Sequence, residues 1–306
     1  MSEYAYPEVL VDTQWVAEHR DDPQVRLVEV DVDTSAYYEG HIPGSIAWNW
    51  VTQLNDSVRR DIVGKEQFEN LMADSGITPD TTIVLYGDRC NWSATWALWQ
   101  LKLYGHADVR LMNGGYGKWR SEGRALNREI PSIQRQQYVA QDPDFSDRVF
   151  FRDVKQIVEG DLEGQLVDVR GPREYHGEIL APPGVPETSQ RAGRIPGAIN
   201  VPWEHTCNPD GTFKSHDELT ELYASAGLKP GMPTITYSRI GKGGSHAWFV
   251  LKFLAGYDRV RNYDGAWTEW GNAVGAPIET SEGVTSPTPA IYQRLYKVVM
   301  SDVAAG

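Results

Sequence analysis

The segment Thr236-Tyr237-Ser238-Arg239-Ile240-Gly241-Lys242-Gly243-Gly244-Ser245-His246 gathers the Ser238 hydroxyl at the head of the turn, two cations and three glycines into one short stretch. The β-favouring run 233–237 leads in, and the apolar run 247–254 reads as a buried helix. The glycines therefore fall at the carboxyl end of a strand, where open α/β sheets bind ligands. Backbone N–H groups converging there, with the positive end of a helix dipole, make an anion cradle. Arg239 and Lys242 add charge, and Ile240, Gly241, Gly243 and Gly244 line the turn. An unliganded βα turn is the plain alternative. Ser238 acting as a nucleophile needs a base, and His246 is the histidine close by in sequence. It lies eight residues on, about two helical turns, which favours a structural histidine at the helix start over a Ser-His pair.

The elements that position this loop occur twice. The stretch from Gly105 to Gly115, followed by Trp119, matches that from Gly256 to Ala266, followed by Trp270, at a constant offset of 151 residues. His41-Ile42-Pro43-Gly44-Ser45-Ile46, ending in Trp50, matches Arg194-Ile195-Pro196-Gly197-Ala198-Ile199, ending in Trp203. A duplicated domain follows, and 306 residues suit two domains of about 100 to 150 residues. Strands at 26–31 and 165–170 alternate with amphipathic helices, which predicts two mainly parallel α/β sheets, each flanked by helices on both faces. We place the first domain at 1–130, a linker at 131–150, the second domain at 151–279, and a tether with a carboxyl-terminal helix at 280–306. Ile291, Leu295, Val298 and Val299 give that helix its spacing, and it is free to dock on the body or on a second subunit.

A net charge of −13 repels nucleic acid and anionic membranes on average, so basic character must be local. No apolar stretch is long enough to cross a bilayer, and the amino terminus lacks a secretory pattern, so a cytoplasmic location is the default. Cys90 and Cys207, the two cysteines, are too few for a disulfide framework, and their spacing is not that of a metal site. No metal and no cofactor are expected.

Four motifs in order, Asp168-Val169-Arg170, Arg194 to Ile199, the Ser238 loop and Tyr263-Asp264-Gly265-Ala266-Trp267, resemble those of the tandem-domain rhodaneses, the thiosulfate and mercaptopyruvate sulfurtransferases. The resemblance covers about residues 7–279. It implies a catalytically silent first domain, whose turn 86–92 has Gly87 at the position of Ser238. It also implies a cysteine at 238, since the family carries sulfur as a cysteine persulfide and passes it to cyanide or a thiol. A serine hydroxyl does not replace that thiolate, so persulfide-based transfer is expected to be negligible. The serine has two origins in view: one altered codon in a working sulfurtransferase, or natural divergence. Lys242-Gly243-Gly244 stands where bacterial members with the same Arg-Ile-Gly run have Glu-Arg-Ser, which one altered codon does not produce.

In that frame Ser238, Arg239 and Lys242 hold the catalytic positions. Asp168, Arg170, Ile240, Gly241, Gly243, Gly244, His246 and Trp267 are the binding set, with a structural Asp168–Arg170 ion pair as the alternative. Glu174 is expected to support a loop arginine, and Asp264 and Trp267 to wall the pocket. The proline-rich insertion Gly177 to Gly193, with Arg191, resembles the family's loop over the active site. The arginine in the loop favours thiosulfate over mercaptopyruvate as ancestral donor. The expected partners are a small anionic substrate and a thiol or cyanide acceptor. A diverged enzyme or anion-binding protein for a carboxylate, sulfate-like or phosphate-like metabolite is the alternative. A redox or relay role is open to Cys207 and, less readily, to Cys90.

Overall fold

The computed structural model describes residues 3–285, so the expected carboxyl-terminal helix lies outside the described residues. Strands β1 (Leu10–Val11), β2 (Val25–Asp31), β3 (Ile46–Asn49), β4 (Thr82–Tyr86) and β5 (Val109–Met112) form one sheet in the order β1-β5-β4-β2-β3. A second sheet, in the order β7-β6-β8-β9, holds β6 (Gln165–Asp168), β7 (Ile199–Asn200), β8 (Thr234–Tyr237) and β9 (Val260–Asn262). Every pairing in both sheets is parallel. The order β7-β6-β8-β9 repeats β3-β2-β4-β5, so the second half is the first without its edge strand. An antiparallel hairpin, β10 (Ile278–Thr280) with β11 (Gly283–Thr285), ends the described chain.

Strand register fixes which residues of the two halves correspond. Glu29 pairs with Tyr86 across β2 and β4, and Asp168 with Tyr237 across β6 and β8. Glu29 thus stands for Asp168, Tyr86 for Tyr237, and Gly87 for Ser238. Two residues further on, Asp31 occupies the place of Arg170.

Each half sends a helix out of its turn, Trp92–Leu103 from the first and Lys242–Phe249 from the second. These helices pack on one another, and ten of the twelve residues in the first and all eight in the second are buried. A helix covered by its own sheet on one side and its twin on the other must be apolar around most of its circumference. This is why both read as continuous apolar runs, and why one core cluster draws residues such as Trp48, Trp96, Val169 and Trp248 from both halves. The second helix continues through a π-helical turn, Val250–Leu254.

Residues 131–150 form a bound strap. Gln136 N–H donates to the Ala73 carbonyl at 3.0 Å, Gln141 N–H to Tyr104 at 3.2 Å and Asp144 N–H to Leu103 at 2.8 Å. Val149 N–H then donates to the Asn262 carbonyl in the second half at 3.0 Å. Tyr138 and Ala140 are buried along the way. The prolines and glutamines that interrupt periodicity here suit an extended segment with its own anchors.

Candidate active-site loop

Ser238 follows the last residue of β8, and the helix starts at Lys242 after a left-handed Gly241 (φ 96°). A Cβ on Gly241 would sit 2.8 Å from the Trp96 ring and 3.0 Å from the Asp264 carbonyl, so the tight turn requires glycine. Ser238 is 4% exposed. Its Oγ accepts the Gly241 N–H at 3.2 Å, and its carbonyl accepts the Trp267 N–H at 2.9 Å. The Arg239 carbonyl accepts the Thr268 N–H at 3.0 Å and the Thr268 hydroxyl at 2.8 Å. Two successive carbonyls are thereby tied to the segment after β9, while the first N–H groups of the helix face the turn without intrahelical acceptors.

Gly243 and Gly244 are set by packing. A Cβ on Gly243 would meet Ser238 Cβ at 2.9 Å, Val169 Cγ2 at 3.1 Å and Trp92 Nε1 at 3.2 Å. One on Gly244 would meet Asn262 Oδ1 at 2.3 Å. Trp92 lies 151 residues before Gly243, so the bulkiest residue of one turn fills the gap left by the smallest residue at the matching place in the other. Glycine here answers a tryptophan from the other half.

The three cations of the expected cradle have different fates. Lys242 is 3% exposed, and its Nζ lies 4.1 Å from the Trp50 ring centroid and 4.4 Å from that of Trp92. Burial, with Arg239 and Arg89 nearby, pushes its ammonium down to about 7, while Asp31 opposes. The indole faces also attract the cation and so favour charge. Arg239 is half-buried and donates from Nη1 to the Pro186 carbonyl at 2.6 Å, joining the loop to the insertion. Arg170 does not reach freely into the loop. Its Nε and Nη2 engage Asp168 at 3.0 and 2.6 Å, Nη2 also donates to the Gly193 carbonyl at 2.7 Å, and its guanidinium stacks 4.6 Å from the Trp267 ring. Asp168 and Arg170 are thus a buried ion pair that clamps the end of the insertion, the alternative stated above.

Glu174 is buried beside these arginines, and its Oε1 has no hydrogen-bond partner. Burial raises its pKa, and Arg170 and Arg239 oppose that rise. His246 is fully buried, with its ring centroid 5.7 Å from that of Trp203 and 5.5 Å from that of Phe213. Burial pushes its pKa down to about 4. Neither ring nitrogen makes a well-aligned hydrogen bond, although the Cys90 backbone is close enough to favour the cation slightly. The imidazole is therefore neutral and packed as an aromatic, with no hydrogen bond to Ser238.

Trp267 donates from Nε1 to the Arg191 carbonyl at 3.0 Å, beneath the loop. Asp264 is held by Arg148, whose Nη2 also reaches Asp61 in the first half at 2.6 Å. Arg191 gives its guanidinium to four carbonyls, those of Trp270, Gly271, Ala273 and Ala276. It anchors the insertion to the segment 270–276. A cleft of about 210 Å³ opens beside Ile240, walled by Trp50, Trp96, Arg60 and Asp264. A second cavity, about 350 Å³, lies over the first half's turn, against Asp31, Asp88, Arg89 and Trp92. Burial and Asp88 push Asp31 up to about 7 there, with Lys242 opposing. Trp50, Trp92, Asp31 and Arg89 thus set the surroundings of Lys242 although they belong to the other half. Among the described residues, no three His, Cys, Asp or Glu side chains are grouped to hold a metal ion.

The rhodanese-like domain model matches this chain twice, over residues 12–122 and 152–273. The chain belongs to the rhodanese family. A candidate thiosulfate sulfurtransferase of Haloferax volcanii is 53% identical over 283 residues, covering 91% of this chain and 98% of the relative. The sulfur carrier protein TtuD of Thermus thermophilus is 51% identical over 284 residues, covering 91% and 99%. Among solved structures, the anaerobic ergothioneine biosynthesis enzyme of Chlorobium limicola superposes with a TM-score of 0.79 at 29% identity, covering 92% of this chain and 72% of that one. A variant of EanB, described with a cysteine persulfide and ergothioneine, gives 0.79 at 28%, with the same coverage. This rhodanese is thus of the thiosulfate sulfurtransferase type, and no described helix is long and apolar enough to cross a membrane.

Proposed function

We propose that this rhodanese binds a small sulfur-bearing anion, of which thiosulfate is the type, at the Ser238 loop without storing sulfur on residue 238. One observation carries the reading: a hydroxyl oxygen, Ser238 Oγ, heads a glycine turn that opens into a helix amino terminus. Amides and dipole there stabilise negative charge on a bound ligand, with Arg239 and Lys242 as the flanking cations. A persulfide requires a thiolate to attack the outer sulfur of the donor, and an alcohol at neutral pH does not supply an equivalent nucleophile. His246, neutral between Trp203 and Phe213, is not placed to deprotonate it. The silent first domain supplies Trp50 and Trp92 as walls. The family suggests a thiol or cyanide acceptor for any sulfur the anion delivers, and the name of the Thermus relative extends that to a protein acceptor, both in the cytoplasm.

A second reading has one observation in its favour, the amine of Lys242 pushed down to about 7 on the first turn of the helix. It makes Ser238 a nucleophile toward a carboxylate or phosphate metabolite, with Lys242 as base. Calorimetric titration with thiosulfate at low salt tests the first reading. It predicts saturable binding to the wild type, weakened about tenfold by Arg239→Ala, the effect of losing one charge-assisted contact. Absence of heat at millimolar thiosulfate refutes it. A turnover that Ser238→Ala abolishes establishes the second.

A further inference from the structure

Two thiols lie outside the loop chemistry, and the structure brings them together. Cys90 belongs to the turn after β4, and Cys207 closes the 3-10 turn Trp203–Thr206 of the second half. Trp92, two residues past Cys90, stacks on Trp203, four residues before Cys207, with centroids 5.5 Å apart and planes 15° from parallel. Phe213 pairs with Cys207 in a β-bridge and packs on His246, which in turn meets the Cys90 backbone. The two side chains interact across the domain boundary, between segments that the Trp92–Trp203 stack holds together. Both residues are half-buried, so a small reagent reaches them.

The turn that presents Cys90 is unusual. Arg89, Cys90 and Asn91 are all left-handed, with φ of 49°, 55° and 63°, a conformation disfavoured for the arginine and the cysteine and tolerated by the asparagine. Asn91 fixes it from inside: Oδ1 accepts the Gly87 N–H at 3.0 Å and Nδ2 donates to the Met112 carbonyl at 2.8 Å. Backbone strain of this kind persists only where surrounding contacts over-determine it. Here the consequence is to hold one thiol against the other half of the molecule. Contact with Cys207 holds the Cys90 thiol down, while contact with Cys90 and burial hold Cys207 up, so the attacking role is assigned to Cys90.

We propose that Cys90 and Cys207 are a redox-active dithiol that closes to an interdomain disulfide when it meets a low-molecular-weight disulfide. The Cys90 thiolate attacks one sulfur of the reagent, forming a mixed disulfide and expelling one thiolate. Cys207 loses its proton to solvent and attacks the Cys90 sulfur, expelling the second thiolate. The protein loses two electrons and the reagent gains them, so one disulfide and two thiols stand on each side. The new bond ties the first half's turn to the second beside the packed pair of interface helices.

The full-length reduced chain, incubated without denaturant with oxidised glutathione, tests this. The expected product is lighter by two hydrogens, carries no titratable thiol, yields one cross-linked peptide pair containing Cys90 and Cys207 on non-reducing digestion, and reverts with dithiothreitol. Because the chain has only these two cysteines, no other intramolecular bond produces that result. Cys207→Ser is expected to halt at a mixed disulfide with glutathione on Cys90. Cys90→Ser is expected to react at least about tenfold more slowly, having lost the attacking thiolate. Glutathione retained on both cysteines of the wild type, a covalent dimer, or thiols that stay free overturns the proposal. Equal rates for the two single variants overturn the assignment of Cys90 as the attacking group.

Discussion

Replacing Lys242 by methionine keeps the length of the side chain and removes the buried charge. Burial lowers the ammonium from an ordinary 10.5 to about 7, which corresponds to a cost of about 5 kcal/mol for keeping it protonated in the fold. The two indole faces at 4.1 and 4.4 Å return about 1 to 2 kcal/mol each. Lys242→Met is therefore expected to stabilise the protein at pH 7 by about 2 kcal/mol. The sign of the pH effect follows from proton counting. Between pH 7 and 10.5 the unfolded chain holds the lysine proton more often than the folded one, so wild-type stability gains from this group as pH rises. The advantage of the variant must therefore shrink as pH rises through that window. Urea denaturation of both proteins at several pH values, compared as differences so that other groups cancel, measures it. A difference that stays constant with pH, or a variant less stable than wild type at pH 7, refutes the picture of a desolvated amine held between tryptophans.

His246 gives the complementary slope on the acid side. Its pKa is depressed from 6.5 to about 4, so the unfolded chain binds more protons in that window and stability falls as pH drops through it, by at most about 1.4 kcal/mol per unit. In His246→Phe this component is expected to disappear from the pH dependence of the denaturation midpoint. Gly243→Ala drives a methyl against Ser238, Val169 and Trp92 at 2.9 to 3.2 Å. It is expected to cost about 1 to 3 kcal/mol in chemical denaturation, and Gly243→Ala combined with Trp92→Phe should recover part of that if the clash with the indole is the cause. Arg148→Met leaves the nearly buried Asp264 and its neighbour Asp61 without their shared cation. The expected loss is about 3 to 5 kcal/mol, and Asp264→Asn in the same background should return some of it.

The duplication was legible because the two halves keep matching glycines and tryptophans at offsets of 153 and 151 residues, and a parallel sheet with a glycine turn at its carboxyl edge followed from it. The helix at Lys242 was likewise readable from strand-then-glycine patterning. Residues whose meaning depends on the other half were not. The Gly243-Gly244 pair looked like a loop opened for a ligand, whereas the steric reason for Gly243 is Trp92, from the equivalent turn. The constant offset carried that signal, since Trp92 and Gly243 stand at matching positions. Arg170 looked available to an anion because its strand ends at the loop. Its capture depends on the Gly193 carbonyl, brought in by an insertion whose path no local pattern specifies. Arg191 likewise reads as a cation over the site until four carbonyls around the Ala266–Trp270 helix claim it. The two cysteines gave no pattern because proximity across a domain boundary leaves no trace in spacing.

The proposed function has the Ser238 loop bind a sulfur-bearing anion without the thiol that would hold its sulfur. Thiosulfate-to-cyanide transfer by the wild type and by Ser238→Cys, with the mass of the peptide containing residue 238 read in each, tests it most directly. The expected result is no turnover and no added sulfur on that peptide in the wild type, and one added sulfur with turnover in the cysteine variant. Turnover by the wild type comparable to the variant's, or a cysteine variant that neither gains sulfur nor turns over, contradicts it.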